Sequence, residues 1–321
     1  MTGGSGFIGI HVVKELLSRG YDVVNLDIKE PIDGQNFQYW YQGSILNKDI
    51  LLDLFAENRF EYVIHLAAVA KQNANTLSEF EVNIQGTRNI IAAINESKFL
   101  RRAIYTSTQY VNEPGLKVPK LLSEYKPYGQ YGKSKLIGEF DIRDQSRVNN
   151  WVIVRPTAIW GKFHPVLTWG LWWQIYRKRY FHPRNDFAVK PYGYVMNTAW
   201  QIVQLLEFNL FDINSQTYYL ADELILQREW VHRFIKSLNG RQSNIPISLI
   251  WLLSKIGDLI INLGGNFPLY SSRFRNLLQS NPVNIEPIIN LLGTPPIHPI
   301  ESIEHVSDWL LKEYSKRRIT K

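Results

Sequence analysis

The run Met1-Thr2-Gly3-Gly4-Ser5-Gly6-Phe7-Ile8-Gly9 decides the fold of this chain. Gly3, Gly6 and Gly9 are spaced three residues apart, directly before a predicted helix over residues 10–19. Glycines at this spacing let a backbone turn tightly against a pyrophosphate at a helix N-terminus. The run alone also fits a plain turn, so the segments that follow it have to decide between the two.

An acidic residue ends the next predicted strand. The apolar run 21–26 leads into Asp27, 18 residues after Gly9. In a dinucleotide-binding unit, a carboxylate there accepts hydrogen bonds from the adenosine ribose and repels a 2′-phosphate. The sequence therefore predicts NAD rather than NADP, although Lys29 nearby works against this preference.

The strand that should precede the glycines is almost missing. Only Met1 and Thr2 stand before Gly3, whereas the first strand of a dinucleotide-binding sheet is central. We expect either a truncated chain or a start codon assigned too late. In the chain as written, we expect a weakened sheet.

Strands and helices alternate through the rest of the first half. The sequence predicts helices over 48–58 and 77–97 and strands over 62–66 and 102–105. This alternation indicates an α/β fold with a doubly wound parallel sheet, to which a smaller C-terminal lobe is added. We expect a nucleotide-binding domain over 1–160, with 194–222 returning to it, and a substrate-binding lobe over 161–193 and most of 223–321.

Tyr131 and Lys135 are spaced to share one face of a helix. A phenol titrates near pH ~10, and a nearby cation favours the phenolate, so such a pair can act as acid or base nearer neutrality. The same spacing also fits an ordinary helix surface. Thr106-Ser107-Thr108 adds hydroxyls after the predicted strand 102–105, at the edge where open α/β sheets bind ligands.

Composition excludes several chemistries. The 321 residues contain no Cys, which excludes disulfides and thiolate nucleophiles, and nothing suggests secretion, so we expect a cytoplasmic protein. His65, His164 and His298 do not have metal-binding spacing, and no metal is expected. The net charge of +7 indicates anionic partners without deciding between phosphate groups, nucleic acid and lipid.

Together these motifs resemble the extended short-chain dehydrogenase/reductase family, in particular its sugar epimerases and dehydratases. The resemblance covers residues 1–220. It implies that Thr108 holds the substrate hydroxyl, that Tyr131 is the acid/base, and that Lys135 holds the nicotinamide ribose and lowers the tyrosine's pKa. It implies NAD contacts for Gly3, Gly6, Phe7, Ile8, Asp27, Ile28, Ser44, Ile45, Leu66, Ala67, Ala68, Asn83, Tyr131, Lys135 and Pro156.

The departures from the family's pattern bear on the substrate. Gln109 and Tyr110 stand where sugar 4,6-dehydratases carry Asp-Glu, so we expect no dehydratase activity. Ser44 replaces an Asp that many members place beside the adenine, and Ala158 replaces an Asn of many nucleotide-sugar enzymes. The run Arg155–Gly161 is similar to epimerases that act on undecaprenyl-diphosphate-linked N-acetylglucosamine.

The C-terminal half contains two stretches that suggest membrane contact. Residues 169–180 mix tryptophans with cations, and residues 246–263 are nearly all apolar. Both also fit helices packed inside the lobe. Arg273 and Arg275 are candidates for binding a substrate diphosphate, although a solvated face explains them equally well.

The leading hypothesis is NAD-dependent C4 epimerisation of a nucleotide-linked or polyprenyl-diphosphate-linked (N-acetyl)hexose in surface polysaccharide biosynthesis. One alternative is a one-way NAD(P)-dependent 4-keto-sugar reductase, and another is a catalytically silent relative that binds dinucleotide or RNA. Because Thr108, Tyr131 and Lys135 are all present, we expect an enzyme and no nucleic-acid partner. A homodimer and peripheral contact with the cytoplasmic membrane face are compatible with the sequence.

Overall fold

The structure, a computed structural model, describes residues 1–71, 74–147, 149–184, 186–208, 213–265, 267 and 269–319. Its strands are β1 (Asn25–Asp27), β2 (Trp40–Gln42), β3 (Tyr62–His65), β4 (Arg102–Thr106), β5 (Trp151–Pro156), β6 (Ala158–Trp160), β7 (Tyr180–Pro183), β8 (Val189–Tyr194), β9 (Gln216–Leu220), β10 (Glu223–Leu226) and β11 (Gln242–Ile245). Its helices are α1 (Phe7–Ser18), α2 (Lys48–Glu57), α3 (Glu81–Glu96), α4 (Gly129–Gln145), α5 (Leu171–Tyr176), α6 (Val195–Glu207), α7 (Gln227–Ser237), α8 (Ile247–Asn262), α9 (Ser271–Leu278), α10 (Glu286–Leu292) and α11 (Pro299–Ile319).

The chain divides into two compact units. The first comprises Met1–Ile159, Gly193–Asp222 and Val283–Pro296, and the second comprises Trp160–Tyr192, Glu223–Pro282 and Ile297–Lys321. The segment Val283–Pro296 lies in the first unit, although it falls within the range that the sequence assigns mostly to the lobe. The reason is apolar packing, because Val283 and Ile285 share a buried cluster with Tyr219 and Ala221.

A parallel sheet forms the centre of the first unit. The strands follow the order β2-β1, then β3-β4-β5-β9, and every adjacent pair is parallel. One core covers a face of the sheet with side chains of α1, α6 and α10, and a second core covers the opposite face with α2, α3 and α4. Helices on both faces of a parallel sheet confirm the predicted doubly wound class.

Thr2 alone occupies the place of the expected first strand. It bridges Leu26 and His65 in parallel, so that it joins β1 to β3. Its N–H donates to the Ile64 carbonyl at 2.9 Å, and Gly3 N–H donates to the Leu26 carbonyl at 3.0 Å. A cleft of about 600 Å³ is lined by Met1 and by residues 20–24 and 58–62.

That cleft explains why β1 is shorter than the predicted strand. The sequence predicts a strand over 21–26, whereas the structure has Asn25–Asp27. A strand forms by pairing with a neighbouring strand. Residues 21–24 line the cleft and are not paired in this way. The predicted helix over 77–97 is also divided. It consists of a 3₁₀ turn over Leu77–Phe80, which begins with a capping box of Thr76 and Glu79, followed by α3.

Aromatic packing builds the second unit. Strand β8 pairs with β10 in antiparallel orientation, and β7 pairs with β11 in parallel orientation. The Trp172 side chain is fully buried, 5.0 Å from the Phe234 ring between centroids, and Trp173 contacts Tyr314 at 4.8 Å. Trp172 and Ile175 of the stretch 169–180 are therefore buried in this unit and not available to a membrane, whereas Trp169 is 43% exposed.

The backbone close to Gly9 gives a prediction. A Cβ atom at Gly9 would lie 2.1 Å from the Gly3 carbonyl oxygen and 2.6 Å from Gly4 Cα. Because these neighbours are backbone atoms that cannot rotate away, Gly9→Ala should reduce the free energy of unfolding by ~1–3 kcal/mol or more. Gly34→Ala is the control, because a Cβ there meets nothing within 4 Å. Thermal melts followed by circular dichroism would check this, and equal midpoints for the two variants would contradict it.

Candidate active site

The glycine run forms a tight turn against the end of β3. Gly3 has φ 75°, and a Cβ there would lie 2.5 Å from the Ala67 backbone nitrogen, so only glycine fits. Gly6 is exposed and precedes α1 without any side-chain cap. Phe7 and Ile8 are half-buried in the first turn of α1. The turn therefore leaves a helix N-terminus open to an anionic group.

Asp27 stands beside this turn at the end of β1. One carboxylate oxygen accepts a hydrogen bond from Ser5 N–H and the other from Lys29 N–H, both at 3.0 Å. These two bonds fix the carboxylate next to the glycines, and Ile28 beside it is 62% exposed. A carboxylate held in this way suits a ribose diol and opposes a phosphate.

The segment after β3 contributes small residues at the same edge of the sheet. Leu66 and Ala67 are half-buried and Ala68 is exposed. The Asn83 side chain, 1% exposed, accepts from Val69 N–H at 2.8 Å and donates to the Val69 carbonyl at 3.0 Å. Asn83 therefore positions this loop through its amide, and its contact with a cofactor stays a prediction.

The remaining predicted cofactor residues differ in what they present. Ser44 Oγ accepts from Leu46 N–H at 3.2 Å, which shapes a turn. The Ile45 side chain lies in the core, where a Cβ at Gly86 would lie 2.3 Å from it, so Ile45 can offer only backbone to a ligand. Pro156 is buried at the end of β5.

Thr108, Tyr131 and Lys135 come together at the end of β4. The Tyr131 and Thr108 side chains are hydrogen-bonded, and Lys135 Nζ donates to the Thr106 carbonyl at 2.7 Å. Burial raises the pKa of Tyr131 to about 12, while the bond to Thr108 acts in the opposite direction. Burial lowers the pKa of Lys135 to about 8, and the charge of Glu139 opposes that shift.

These directions correct one expectation from the sequence. We expected Lys135 to lower the pKa of Tyr131, but the pKa of the phenol is raised. The physical reason is desolvation, which disfavours the phenolate more than nearby groups favour it. Lys135 Nζ also donates a hydrogen bond to the Thr106 carbonyl, so part of the hydrogen-bonding capacity of the ammonium group is already used.

Ser134 is a site residue that the sequence analysis missed. Its hydroxyl donates to the Tyr131 carbonyl at 2.8 Å and accepts from Asn83 Nδ2 at 3.0 Å. It lies one turn along α4 from Tyr131 and is fully buried. This chain of hydrogen bonds links the loop after β3 to the helix that carries Tyr131.

Glu139 is the second missed residue. It is 1% exposed and accepts from Arg155 Nη2 at 2.7 Å, from Arg155 Nε at 2.8 Å and from Ser107 Oγ at 2.6 Å. Arg155 Nη1 donates to the Tyr125 and Tyr219 hydroxyls. The ion pair thus ties α4 to the ends of β4 and β5. Its sequence signal is the spacing of four residues from Lys135, which places both charges on one helix face.

The positions that depart from the family's pattern offer no second acid/base. Gln109 is 6% exposed, and the Tyr110 N–H donates to Thr108 Oγ1 at 3.3 Å. Ala158 is half-buried at the start of β6. Arg273 and Arg275 lie on α9 of the second unit, where the Arg273 guanidinium stacks 5.1 Å from the Tyr270 ring centroid. Their role towards a substrate stays a prediction.

Taken together, the residues fit a dinucleotide. The glycine turn admits only glycine at positions 3 and 9. The open N-terminus of α1 suits a pyrophosphate, and the Asp27 carboxylate suits a ribose diol. Thr2, Leu66 and Thr106 mark the carboxyl ends of adjacent parallel strands, which is the edge where open α/β sheets bind ligands.

Comparison with known proteins agrees with this geometry. The model of the NAD dependent epimerase/dehydratase family matches residues 1–168. The UDP-glucose 4-epimerase of Neisseria meningitidis serogroup A is 32% identical over 173 residues, which cover 48% of this chain and 50% of that protein. The chain thus spans about half the length of the curated relatives it matches.

Two solved structures share the fold over nearly the whole chain. The UDP-glucose 4-epimerase of Thermotoga maritima with UDP-glucose has a TM-score of 0.74 at 18% identity, covering 98% of both chains. The Thermus thermophilus UDP-glucose 4-epimerase in complex with NAD has a TM-score of 0.72 at 20% identity, covering 97% of both chains. At these identities the likeness concerns the fold.

His65 gives a prediction on acid stability. It is 1% exposed, with Nδ1 2.8 Å from Thr2 Oγ1 and Nε2 3.1 Å from Thr87 Oγ1. Burial, helped by the charge of Lys135, lowers its pKa from 6.5 to about 3. Below pH 6.5 the unfolded chain therefore binds a proton that the folded chain does not, so stability falls as the pH falls towards 3.

We expect a loss of about 2 kcal/mol from this group between pH 7 and pH 5. His65→Gln should lower stability at pH 7 and narrow the difference between the two pH values. The exposed His232→Gln should leave that difference unchanged. Urea unfolding at both pH values measures it, and an equal pH dependence in all three proteins would contradict the assignment.

Proposed function

Because the chain belongs to the NAD dependent epimerase/dehydratase family, we propose that it epimerises C4 of a hexose or N-acetylhexose attached to a diphosphate, with NAD as cofactor. The observation that carries the proposal is the hydrogen-bonded pair of Tyr131 and Thr108 with the buried Lys135 on the same helix face. This pair lies at the sheet edge that also carries the glycine turn and Asp27.

The cofactor residues divide by the part of the dinucleotide that they suit. Gly3, Gly6 and the first turn of α1 would accept the pyrophosphate, and Asp27 the adenosine ribose. Ala67 and Ala68 would let the dinucleotide lie close to the backbone after β3. Lys135 would hold the nicotinamide ribose, as the family resemblance implies.

Epimerisation at C4 removes the O4 proton and the C4 hydride and returns the hydride to the opposite face of the 4-keto sugar. Bound NAD would supply the hydride acceptor and a positive charge beside the phenol. Tyr131 would take the O4 proton and return it after the keto sugar has turned over, while Thr108 orients the same hydroxyl.

The pKa values support a role for a cation beside Tyr131. With a pKa of about 12, only about one Tyr131 phenol in 10⁵ is ionised at pH 7. Lys135, whose pKa is about 8, remains mostly protonated there and can stabilise a developing phenolate. The proposal therefore assigns proton transfer to Tyr131 and charge stabilisation to Lys135.

Two related activities fit the chain less well. Dehydration needs a second acid/base pair, and Gln109 cannot ionise. A one-way 4-keto-sugar reductase would use the same Thr108, Tyr131 and Lys135. Reductases of that kind usually draw on NADPH, however, and the carboxylate of Asp27 opposes a 2′-phosphate.

The carrier of the sugar has two candidates with one shared chemistry. The curated relatives named UDP-glucose 4-epimerase support a nucleotide diphosphate. Ala158 and the Arg155–Gly161 run support a polyprenyl diphosphate, which would place the enzyme at the cytoplasmic membrane face in surface polysaccharide biosynthesis. The diphosphate is common to both, and Arg273 and Arg275 are the proposed residues for it.

The first prediction of this proposal concerns Tyr131→Phe. Removing the transferable proton should reduce turnover by ~10²–10⁴-fold, while NAD affinity changes less than about threefold. Turnover is followed by coupled detection of the C4 epimer with UDP-glucose, UDP-N-acetylglucosamine and undecaprenyl-diphosphate-linked N-acetylglucosamine. The relative rates of the three substrates distinguish the carriers.

Tyr62→Phe is the control for that change, because Tyr62 begins β3, away from the catalytic edge. It should keep the parent's rate. A Tyr131→Phe rate within tenfold of the parent would refute the assigned role, and conversion of none of the three substrates by the parent would refute the proposed reaction.

The second prediction concerns cofactor choice. NAD should bind at least tenfold more tightly than NADP, because the Asp27 carboxylate repels the 2′-phosphate, and Asp27→Asn should narrow that ratio. Glu30→Gln removes the same charge from an exposed neighbour and should leave the ratio unchanged. Calorimetric titration measures both affinities, and equal affinities in the parent would favour the reductase.

A further inference from the structure

Helix α8 of the second unit carries an apolar stripe that the described residues leave exposed. Only one narrow side of the helix is buried, at Ile250, Ser254 and Gly257. The large apolar side chains on the opposite side recur three and four residues apart and are each about 40–80% exposed: Leu249, Leu252, Ile256, Leu259 and Leu263. We call these five residues the α8 stripe. Helix α8 itself has 16 residues and is about 24 Å long.

The stripe is held rigidly in this orientation. A Cβ at Gly257 would lie 1.8 Å from the Leu269 carbonyl oxygen, so the chain after α8 packs directly on the helix backbone. Asp258 accepts from Ser271 N–H at 2.9 Å and from the Ser271 hydroxyl, which fixes the start of α9. Helices α8 and α9 therefore form one hairpin, and the buried side of α8 is already occupied.

A continuous apolar surface of this length on a protein marks a contact site. The exposed Trp251, 50% accessible, borders the stripe and adds an aromatic ring of the kind that is enriched at membrane interfaces. In the described part of the chain, no helix is both long enough and apolar enough to cross a bilayer. Contact with lipid would therefore be along the surface.

Charge around the hairpin decides which partner fits. Between residues 247 and 278 stand three cations, Lys255, Arg273 and Arg275, and a single acid, Asp258. That acid already accepts two hydrogen bonds from Ser271 and has Lys255 at 4.0 Å. With three cations and one acid the hairpin carries a net charge of +2, which complements an anionic surface.

The same charges disfavour a second copy of the chain. A two-fold interface brings each patch onto its own copy, so the cations of one hairpin would meet the cations of the other. Like charges facing each other oppose association. An anionic lipid headgroup layer has the opposite charge and an apolar interior that accepts leucine side chains.

We propose that the α8–α9 hairpin is a peripheral docking surface for an anionic lipid bilayer. The α8 stripe enters the acyl boundary while Lys255 lies at the headgroups, the level at which Arg273 and Arg275 would also meet the diphosphate of a lipid-linked sugar. The inference would place the proposed epimerase beside a lipid-linked substrate, but it does not depend on catalysis. It also moves the membrane contact away from residues 169–180, whose Trp172 is buried.

The test is flotation of the full-length protein with vesicles, without any sugar substrate. Vesicles of phosphatidylcholine containing phosphatidylglycerol should bind the protein, and 0.5 M salt should weaken binding because the ~10 Å screening length at 0.1 M becomes shorter. Pure phosphatidylcholine vesicles should bind less. Leu252→Ser combined with Leu259→Ser should reduce partitioning into anionic vesicles at least about tenfold.

Leu121→Ser combined with Leu311→Ser is the matched control, because both leucines are exposed but lie outside the hairpin. It should bind as the parent does. The Tyr131→Phe variant should also bind as the parent does, so that loss of turnover and loss of docking are separate outcomes. With water-soluble UDP-sugar, the variant altered at Leu252 and Leu259 should keep its turnover and its circular dichroism spectrum.

Three results would overturn the proposal. The parent could remain unbound to anionic vesicles at low salt, or the hairpin variant could bind as tightly as the parent. The third is a dimer in sedimentation velocity that the same two substitutions at Leu252 and Leu259 dissociate, with the parent unbound to vesicles. That outcome would assign the α8 stripe to a second copy of the chain.

Discussion

The backbone of Met1–Gly3 is the constraint on which the first unit depends. Through Thr2 it pairs with β3 on one side, and through Met1 and Gly3 it pairs with β1 on the other. The same residues shape the site, because Thr2 Oγ1 is hydrogen-bonded to His65 and Gly3 lies against the backbone of Ala67. The same short contacts therefore connect β1 to β3 and shape the glycine turn.

Buried charges also fix the geometry of the site. The buried pair of Glu139 and Arg155 joins α4 to the strand ends, and a buried pair of this kind contributes position more reliably than stability. Glu139 also opposes the desolvation of Lys135, so the ammonium keeps its charge in a buried place. The result is a cation on the same helix as the phenol, held where solvent does not screen it.

The sequence predicts the doubly wound class, which the structure confirms, and it proposes Thr108, Tyr131 and Lys135 as catalytic residues, because both predictions rest on local spacing. Glycines three apart, Asp27 after a strand, and Tyr131 four residues before Lys135 are patterns within one or two elements. The sequence did not predict the hydrogen bonds of the Asn83 side chain to Val69 and Ser134. It also did not predict those of the Glu139 carboxylate with Ser107 and Arg155. Those contacts join elements distant in the chain, and no periodicity reports them. The predicted direction of the Tyr131 pKa shift was wrong for a related reason, because desolvation depends on all the groups that surround the phenol.

The two stretches that suggested membrane contact show the limit of composition most clearly. Both are rich in large apolar side chains, yet Trp172 and Ile175 of α5 are fully buried, whereas Leu259 and Leu263 at the end of α8 are 60% and 78% exposed. Apolar side chains project from most sides of α8, so its sequence contains no polar face that would indicate which side packs against the protein. The structure decides this at Gly257, where the segment at Leu269 packs against the helix backbone on the same buried side as Ile250 and Ser254. The large apolar side chains on the opposite side stay exposed in the described chain, and our proposal assigns them to an anionic partner because the hairpin carries a net positive charge.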